Sequence, residues 1–154
     1  MDLHILTDLM YNEILISAGV SWLVAQLLKT LIHMIITKTF VAERLVGTGG
    51  MPSSHSATVC GLATAVALNC GLESTEFAIA FILAVVVMYD ALGVRRETGK
   101  QARVINEMME TFSIMGTPMT AEERLKEFVG HSPLQVFAGA VLGSFIACFI
   151  CNIA

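Results

Sequence analysis

The sequence predicts an all-α integral membrane protein with about four transmembrane helices plus short cytoplasmic amphipathic helices. Three observations lead there. Of the 154 residues, 55% are hydrophobic and only 14% charged, where a soluble domain carries about 25% charged residues. Mean hydropathy is +0.73. The apolar residues are gathered into four runs separated by polar segments. The length suits a single domain over 1–154. The opening "MDLHILTDLMYNE" is acidic and lacks the basic region of a cleavable signal, so the helices themselves are expected to drive insertion.

The first run, about 14–36 ("ILISAGVSWLVAQLLKTLIHMII"), and the fourth, about 133–152 ("PLQVFAGAVLGSFIACFICN"), reach the roughly 20 residues that a bilayer core requires. The second, about 54–69, and the third, about 77–93, lie near the lower limit of about 17 residues. The second is rich in Ala57, Gly61, Ala63, Ala65 and Ala67, small residues that suit close helix packing. Pro52 reads as a first-turn residue of the second helix and Pro133 of the fourth. Gly93 reads as the stop of the third. Beyond it, 96–112 has helical periodicity, with Val104, Ile105, Met108, Met109 and Phe112 on one side and Arg96, Lys100 and Arg103 along another. "TAEERLKEF" (120–128) opens with Thr120 and Glu123 at capping-box spacing and predicts a second short helix.

Charge sets the orientation. Eight of the nine Lys and Arg residues fall in the connections 37–53 and 94–132, and the ninth, Lys29, lies within the first run. The opposite side carries Asp2, Asp8, Glu13, Glu73 and Glu76 and no basic residue. The positive-inside rule places both long connections in the cytoplasm, in a multi-pass protein of the inner (plasma) membrane.

Three polar clusters then share that face: "GTGGMPSSHSATV" (47–59), "YDALGVRRETGKQ" (89–101) and "GHSPLQVFAG" (130–139). Two helix starts here present backbone N–H groups and positive dipole ends, which together favour an anion. Gly49 and Gly50 allow close backbone approach, and Ser53, Ser54 and Ser56 add hydroxyls. A histidine stands at each start, His55 and His131. The dipole disfavours imidazolium, so either ring is expected to be neutral and nucleophilic. Lys29 either snorkels to the headgroups or faces the bundle interior as an anion partner. Asp90, near the negative end of the third helix, calls for a cationic or hydrogen-bonding partner.

These residues resemble the type 2 phosphatidic acid phosphatase superfamily, which includes the vanadium-dependent haloperoxidases. "PSSH" and "GHSPLQVFAG" are similar to its second and third motifs. "GGMPSSHSA", "MYDALGVRRETGKQA" and "GHSPLQVFAGAVLG" together resemble its small divergent bacterial branch. The resemblance implies His131 as the nucleophile that forms a phosphohistidine and His55 as the acid that protonates the leaving oxygen. It implies Ser53, Ser54 and Lys29 as phosphate binders. The chain departs from the usual pattern at Ser54, where glycine is usual, and at Gln135, where an orienting aspartate is usual. No Ser-Arg pair stands six or seven residues before His131, where only Arg124 is near, and the first motif's Arg-Pro is absent. Lys38 and Arg44 are loose substitutes for the latter, and Asp90, Arg95 and Arg96 are expected to restore the missing acid and cations.

The implied activity is metal-independent hydrolysis of a lipid phosphomonoester of the phosphatidic acid, phosphatidylglycerophosphate or polyprenyl phosphate type. The alternative is a non-catalytic membrane protein that binds or moves phospholipid headgroups. No cofactor is expected, and a net charge of -4 gives no nucleic-acid footprint. Association with further copies of the chain stays open. The nine methionines read as packing material. The four cysteines have no CxxC spacing, although Cys70 and Cys151 both approach the non-cytoplasmic end, where a disulfide would be allowed.

Overall fold

Among the described residues six helices follow one another: α1 Leu3–Met10, α2 Glu13–Thr37, α3 Ser54–Cys70, α4 Thr75–Leu92, α5 Val94–Ser113 and α6 Pro133–Ile153. The computed structural model describes residues 3–40, 50–113, 125 and 130–153. No strand occurs among them.

Side-chain caps set where the main helices begin. The Asn12 carboxamide accepts the Leu15 N–H at 3.1 Å and starts α2. The Ser74 hydroxyl accepts the Phe77 N–H at 3.1 Å and starts α4 two residues before the expected position. Lys38, in the left-handed conformation, closes α2 by donating its N–H to the Met34 carbonyl. α1 has no counterpart in the sequence reading. Gly93 does interrupt the helix, but for one residue only: its N–H reaches the Tyr89 carbonyl, and its own carbonyl accepts from Glu97 within α5. The helix expected at 96–112 is therefore longer, and nearly continuous with α4.

The chain is a multi-pass membrane protein. α2, the α4–α5 run and α6 are each long and apolar enough to span a bilayer. α3 has 17 residues, a rise of about 26 Å at 1.5 Å per residue, and is the shortest of the four main helices. It compensates by its position, because it packs against α2, α4 and α6 and is the centre of the bundle.

Small residues make that central packing close. A methyl group added at Gly139 would collide with the Ser53 carbonyl, and one at Gly143 with the Ala57 backbone. One at Gly61 would sit 2.5 Å from the Ser21 hydroxyl. Gly139 and Gly143, one turn apart on α6, lie against Ser53 and Ser56 and against Ala57 and Gly61 of α3, with Ala147 buried a turn further on, the small-residue seam by which membrane helices gain dispersion contacts. Polar side chains inside the bundle find partners across it, as lipid offers them none. Ser21 donates to the Gly143 carbonyl at 3.5 Å, and Thr64 to the Ser144 hydroxyl at 3.0 Å. On the α4 side, Val59, Ala63 and Val66 pack with Ala80 and Ala84. The outward faces carry exposed Trp22, Leu27, Ile82, Phe137 and Phe145, as a lipid-facing surface requires.

One open question is answered and one expectation is corrected. Cys70 and Cys151 do not pair: all four cysteines are free, and the Cys151 sulfur lies within hydrogen-bonding distance of the Ser17 hydroxyl and the Asn69 amide. Within 120–128 only Leu125 is described, and it is not helical. Its N–H and carbonyl both bind the Asn106 carboxamide, at 3.0 and 2.9 Å, so neither takes part in helical bonding. The rest of that segment lies outside the described residues.

Candidate active site

The ends of three helices are stitched together at the side of the bundle where α3 and α6 begin. The Ser53 N–H donates to the Gln135 carbonyl at 3.0 Å, joining the start of α3 to the first turn of α6. The His131 N–H donates to the Ala91 carbonyl at 3.1 Å, joining the entry to α6 to the last turn of α4. Backbone bonds hold these junctions, so the side chains there are placed by main chain rather than by flexible contacts.

Ser53, not Pro52, begins α3. Its hydroxyl oxygen accepts the Ser56 N–H at 3.4 Å and the Ser56 hydroxyl at 3.0 Å. Proline lacks any group to compete for that role, so Pro52 stands outside the helix, one residue before the cap. A serine oxygen has two acceptor positions and one proton. With both acceptor positions used, Ser53 keeps its proton as a donor. Ser54 follows in the first turn and is buried.

His55 occupies the next position of that turn. His131 stands two residues before α6. The two imidazoles meet, with ring centroids 5.9 Å apart and planes inclined at 59°. His131 is 3% exposed, and His55 is partly open. Seventy-six positions apart in the sequence, they become neighbours because α3 and α6 start on the same side and share the glycine seam.

A capping box at the start of α6 orients His131. Ser132 accepts the Gln135 N–H at 3.4 Å, and the Gln135 side-chain oxygen accepts the Ser132 N–H at 3.0 Å. That second bond identifies the Gln135 atom as the amide oxygen, since it receives a proton. The same oxygen lies 3.3 Å from Nδ1 of His131. An atom that can only accept requires the proton on Nδ1, the tautomer in which a neutral ring carries its lone pair on Nε2. Gln135 thus supplies a tautomer, though not a charge. The S-x-x-Q pattern at 132–135 was present in the sequence and would have announced this contact.

Lys29 resolves one open alternative: it is 2% exposed and lies within the bundle rather than snorkelling. Gly50, with φ +88°, covers its stem, and a methyl there would come within 3.0 Å of Lys29 Cγ. Glycine serves both the left-handed conformation and the room for the lysine. One turn away, Gln26 is 4% exposed, and its side-chain oxygen has no hydrogen-bond partner among the described residues. Sequence reasoning passed over this residue, for which a buried amide in the middle of an apolar run was the signal.

Asp90 is half-buried in the last turn of α4 and directly precedes Ala91, the acceptor of the His131 N–H. Arg95 and Arg96 fall in the first turn of α5, and their side chains lie outside the described residues, as do Gly49, Arg44 and Arg124. Lys38 is exposed at the end of α2, and no described contact joins it to the histidine pair. Among the described residues no group of three His, Cys, Asp or Glu side chains is arranged to hold a metal ion.

Fold and site together define a multi-pass membrane protein in which two histidines at helix starts converge and a lysine is buried within the bundle. The chain belongs to the Divergent PAP2 family, whose model matches residues 10–146. It is similar to the uncharacterized membrane protein YuiD of Bacillus subtilis (strain 168), with 41% identity over 145 residues, covering 88% of this chain and 92% of that protein. No solved structure matches it.

Proposed function

We propose that the protein hydrolyses a phosphomonoester of a membrane lipid, of phosphatidic acid, phosphatidylglycerophosphate or polyprenyl phosphate type, through a phosphohistidine on His131. The observation that carries this reading is the pairing of the His55 and His131 rings at 5.9 Å, with the Gln135 amide oxygen 3.3 Å from Nδ1 of His131. Membership of the family supports it.

In this mechanism the Nε2 lone pair of His131 forms a bond to phosphorus as the bond from phosphorus to the lipid oxygen breaks. His55 delivers its proton to that oxygen, which leaves as an alcohol. Water then attacks the phosphohistidine, His55 takes up one of its protons, and inorganic phosphate leaves a neutral His131. Lys29, the Ser53 hydroxyl proton, Ser54 and the first-turn N–H groups of α3 hold the phosphate oxygens. Asp90 with Arg95 and Arg96, and more remotely Lys38, supply further charge around the phosphate. The site faces the cytoplasm, on the side where the basic residues collect.

The test is phosphate release by the purified protein from mixed micelles of these lipid phosphates, with EDTA present. The expected result is turnover by the wild type and none by His131→Ala. Equal release by the two proteins, or none by either, refutes the reading.

A further inference from the structure

α4 and α6 are joined at one end and apart below it. The bond from His131 to the Ala91 carbonyl ties the tips of the two helices beside the histidine pair. Away from that tie they scarcely touch, while each continues to pack on α3. The result is a wedge-shaped cavity of about 280 Å³ with α3 as its back wall. Cys60, Ala63 and Thr64 of α3, Val85 and Met88 of α4 and Ser144 of α6 line it.

Its walls suit hydrocarbon. They are almost wholly apolar, and the two hydroxyls present, Thr64 and Ser144, bind each other at 3.0 Å. At one end the Cys60 and Met88 sulfurs lie 3.7 Å apart, a polarizable and adaptable neck. At the other end Phe77 and Phe81 stand with ring centroids 5.8 Å apart and both border the cavity.

The neck is the end nearest the candidate active site. Cys60 follows His55 by five residues on α3, about 7.5 Å along the axis, and Met88 precedes Ala91 by three residues on α4, about 4.5 Å. The wedge and the histidine pair are thus built by the same three helices, one above the other. The wedge's volume and apolar lining accommodate a stretch of hydrocarbon chain.

We infer that this wedge holds a single hydrocarbon chain of the lipid whose phosphate lies at His55 and His131. The inference rests on the phosphatase reading for the position of the phosphate, and it adds that recognition extends into the bilayer through one chain. A second chain of a diacyl lipid would lie outside, against the exposed face of α6.

The test uses hexadecyl phosphate with a photoreactive group in its chain, bound to the full-length protein in nanodiscs, with cross-links mapped by mass spectrometry. His131→Ala protein is labelled in parallel, so that occupancy is read without turnover. Labelling is expected to concentrate on Ala63 and Thr64 of α3 and on Phe81, Val85 and Met88 of α4, and to be competed away by unlabelled hexadecyl phosphate. Val85→Trp, at the half-open rim, should reduce that labelling and raise KM for hexadecyl phosphate about tenfold, the scale of a lost hydrophobic fit. Turnover of p-nitrophenyl phosphate should not change. Val86→Trp, on the outward face of α4, is the folded control and should alter neither. Labelling spread evenly onto Ile79, Ile82 and Val86, or identical behaviour of the two tryptophan variants, overturns the inference. Focused labelling in a protein that never releases phosphate would refute the phosphatase reading and leave the wedge standing. Phosphate release with unfocused labelling would do the reverse.

Discussion

Gly143→Ala adds one methyl group and should be among the most damaging small substitutions in the chain. The new carbon would meet the carbonyl oxygen, carbonyl carbon and Cα of Ala57, all of them backbone. No side chain can rotate away, so α6 must move off α3. Overpacking of this kind costs about 1–3 kcal/mol, and the rigid neighbour argues for the upper end. The Ser21 bond to the Gly143 carbonyl and the Thr64–Ser144 bond cross the same seam and weaken with it. At 2–4 °C per kcal/mol for a chain of this size, the melting temperature should fall by about 6–12 °C. Gly19→Ala is the matched control: a methyl there meets nothing within 4 Å, and alanine within a helix is about 0.5–1 kcal/mol better than glycine. Thermal unfolding of the two variants in one detergent decides the matter. Equal melting of Gly143→Ala and wild type would refute the close α3–α6 seam, and with it the reason that His55 and His131 meet.

Other perturbations test the site piece by piece. Gln135→Ala should reduce turnover by about 10²-fold, the usual scale for losing a proton-transfer arrangement, and ¹⁵N NMR should show His131 Nδ1 no longer uniformly protonated. An unchanged tautomer would remove the orienting role of Gln135. Lys29→Met keeps the length of the stem beneath Gly50 and should weaken vanadate inhibition by about 10–100-fold, the worth of one hydrogen bond to a charged group. Unaltered inhibition would place the ammonium away from the phosphate. A reporter fused after Ala154 should read as extracytoplasmic and a tag near Gly116 as cytoplasmic. Protease protection of the opposite sense would move the site to the other face.

The helices were legible because apolar length and end signals agree. Glu13–Thr37 and Pro133–Ile153 lie within one residue of the runs read from composition, as expected where a bilayer length and a good cap coincide. α4 began early because Ser74 captured the Phe77 N–H, a local bond that hydropathy does not register. Pro52 was misplaced for the same reason, since Ser53 has a hydroxyl and proline does not. α1 escaped notice because its apolar residues are too few for a span.

The site was half legible. Counting basic residues put three polar clusters on one face, and this was enough to expect His55 near His131. It could not give the seam that sets their separation, because Gly139 and Gly143 read simply as small residues until their neighbours are known. Gln135 was read for the charge it lacks, whereas its position in a capping box decides its contact with His131. Gln26 was lost among the apolar residues of its run.

The central claim is that His131 carries the phosphoryl group, and trapping that intermediate tests it most directly. The purified protein would be mixed with ³²P-labelled lipid phosphate, quenched in alkali to preserve a phosphorus–nitrogen bond, digested and sequenced. The account predicts base-stable, acid-labile label on the peptide containing His131, and none in a His131→Ala protein that melts like the wild type. Release of phosphate with no label at His131, or with label on another residue, would contradict it.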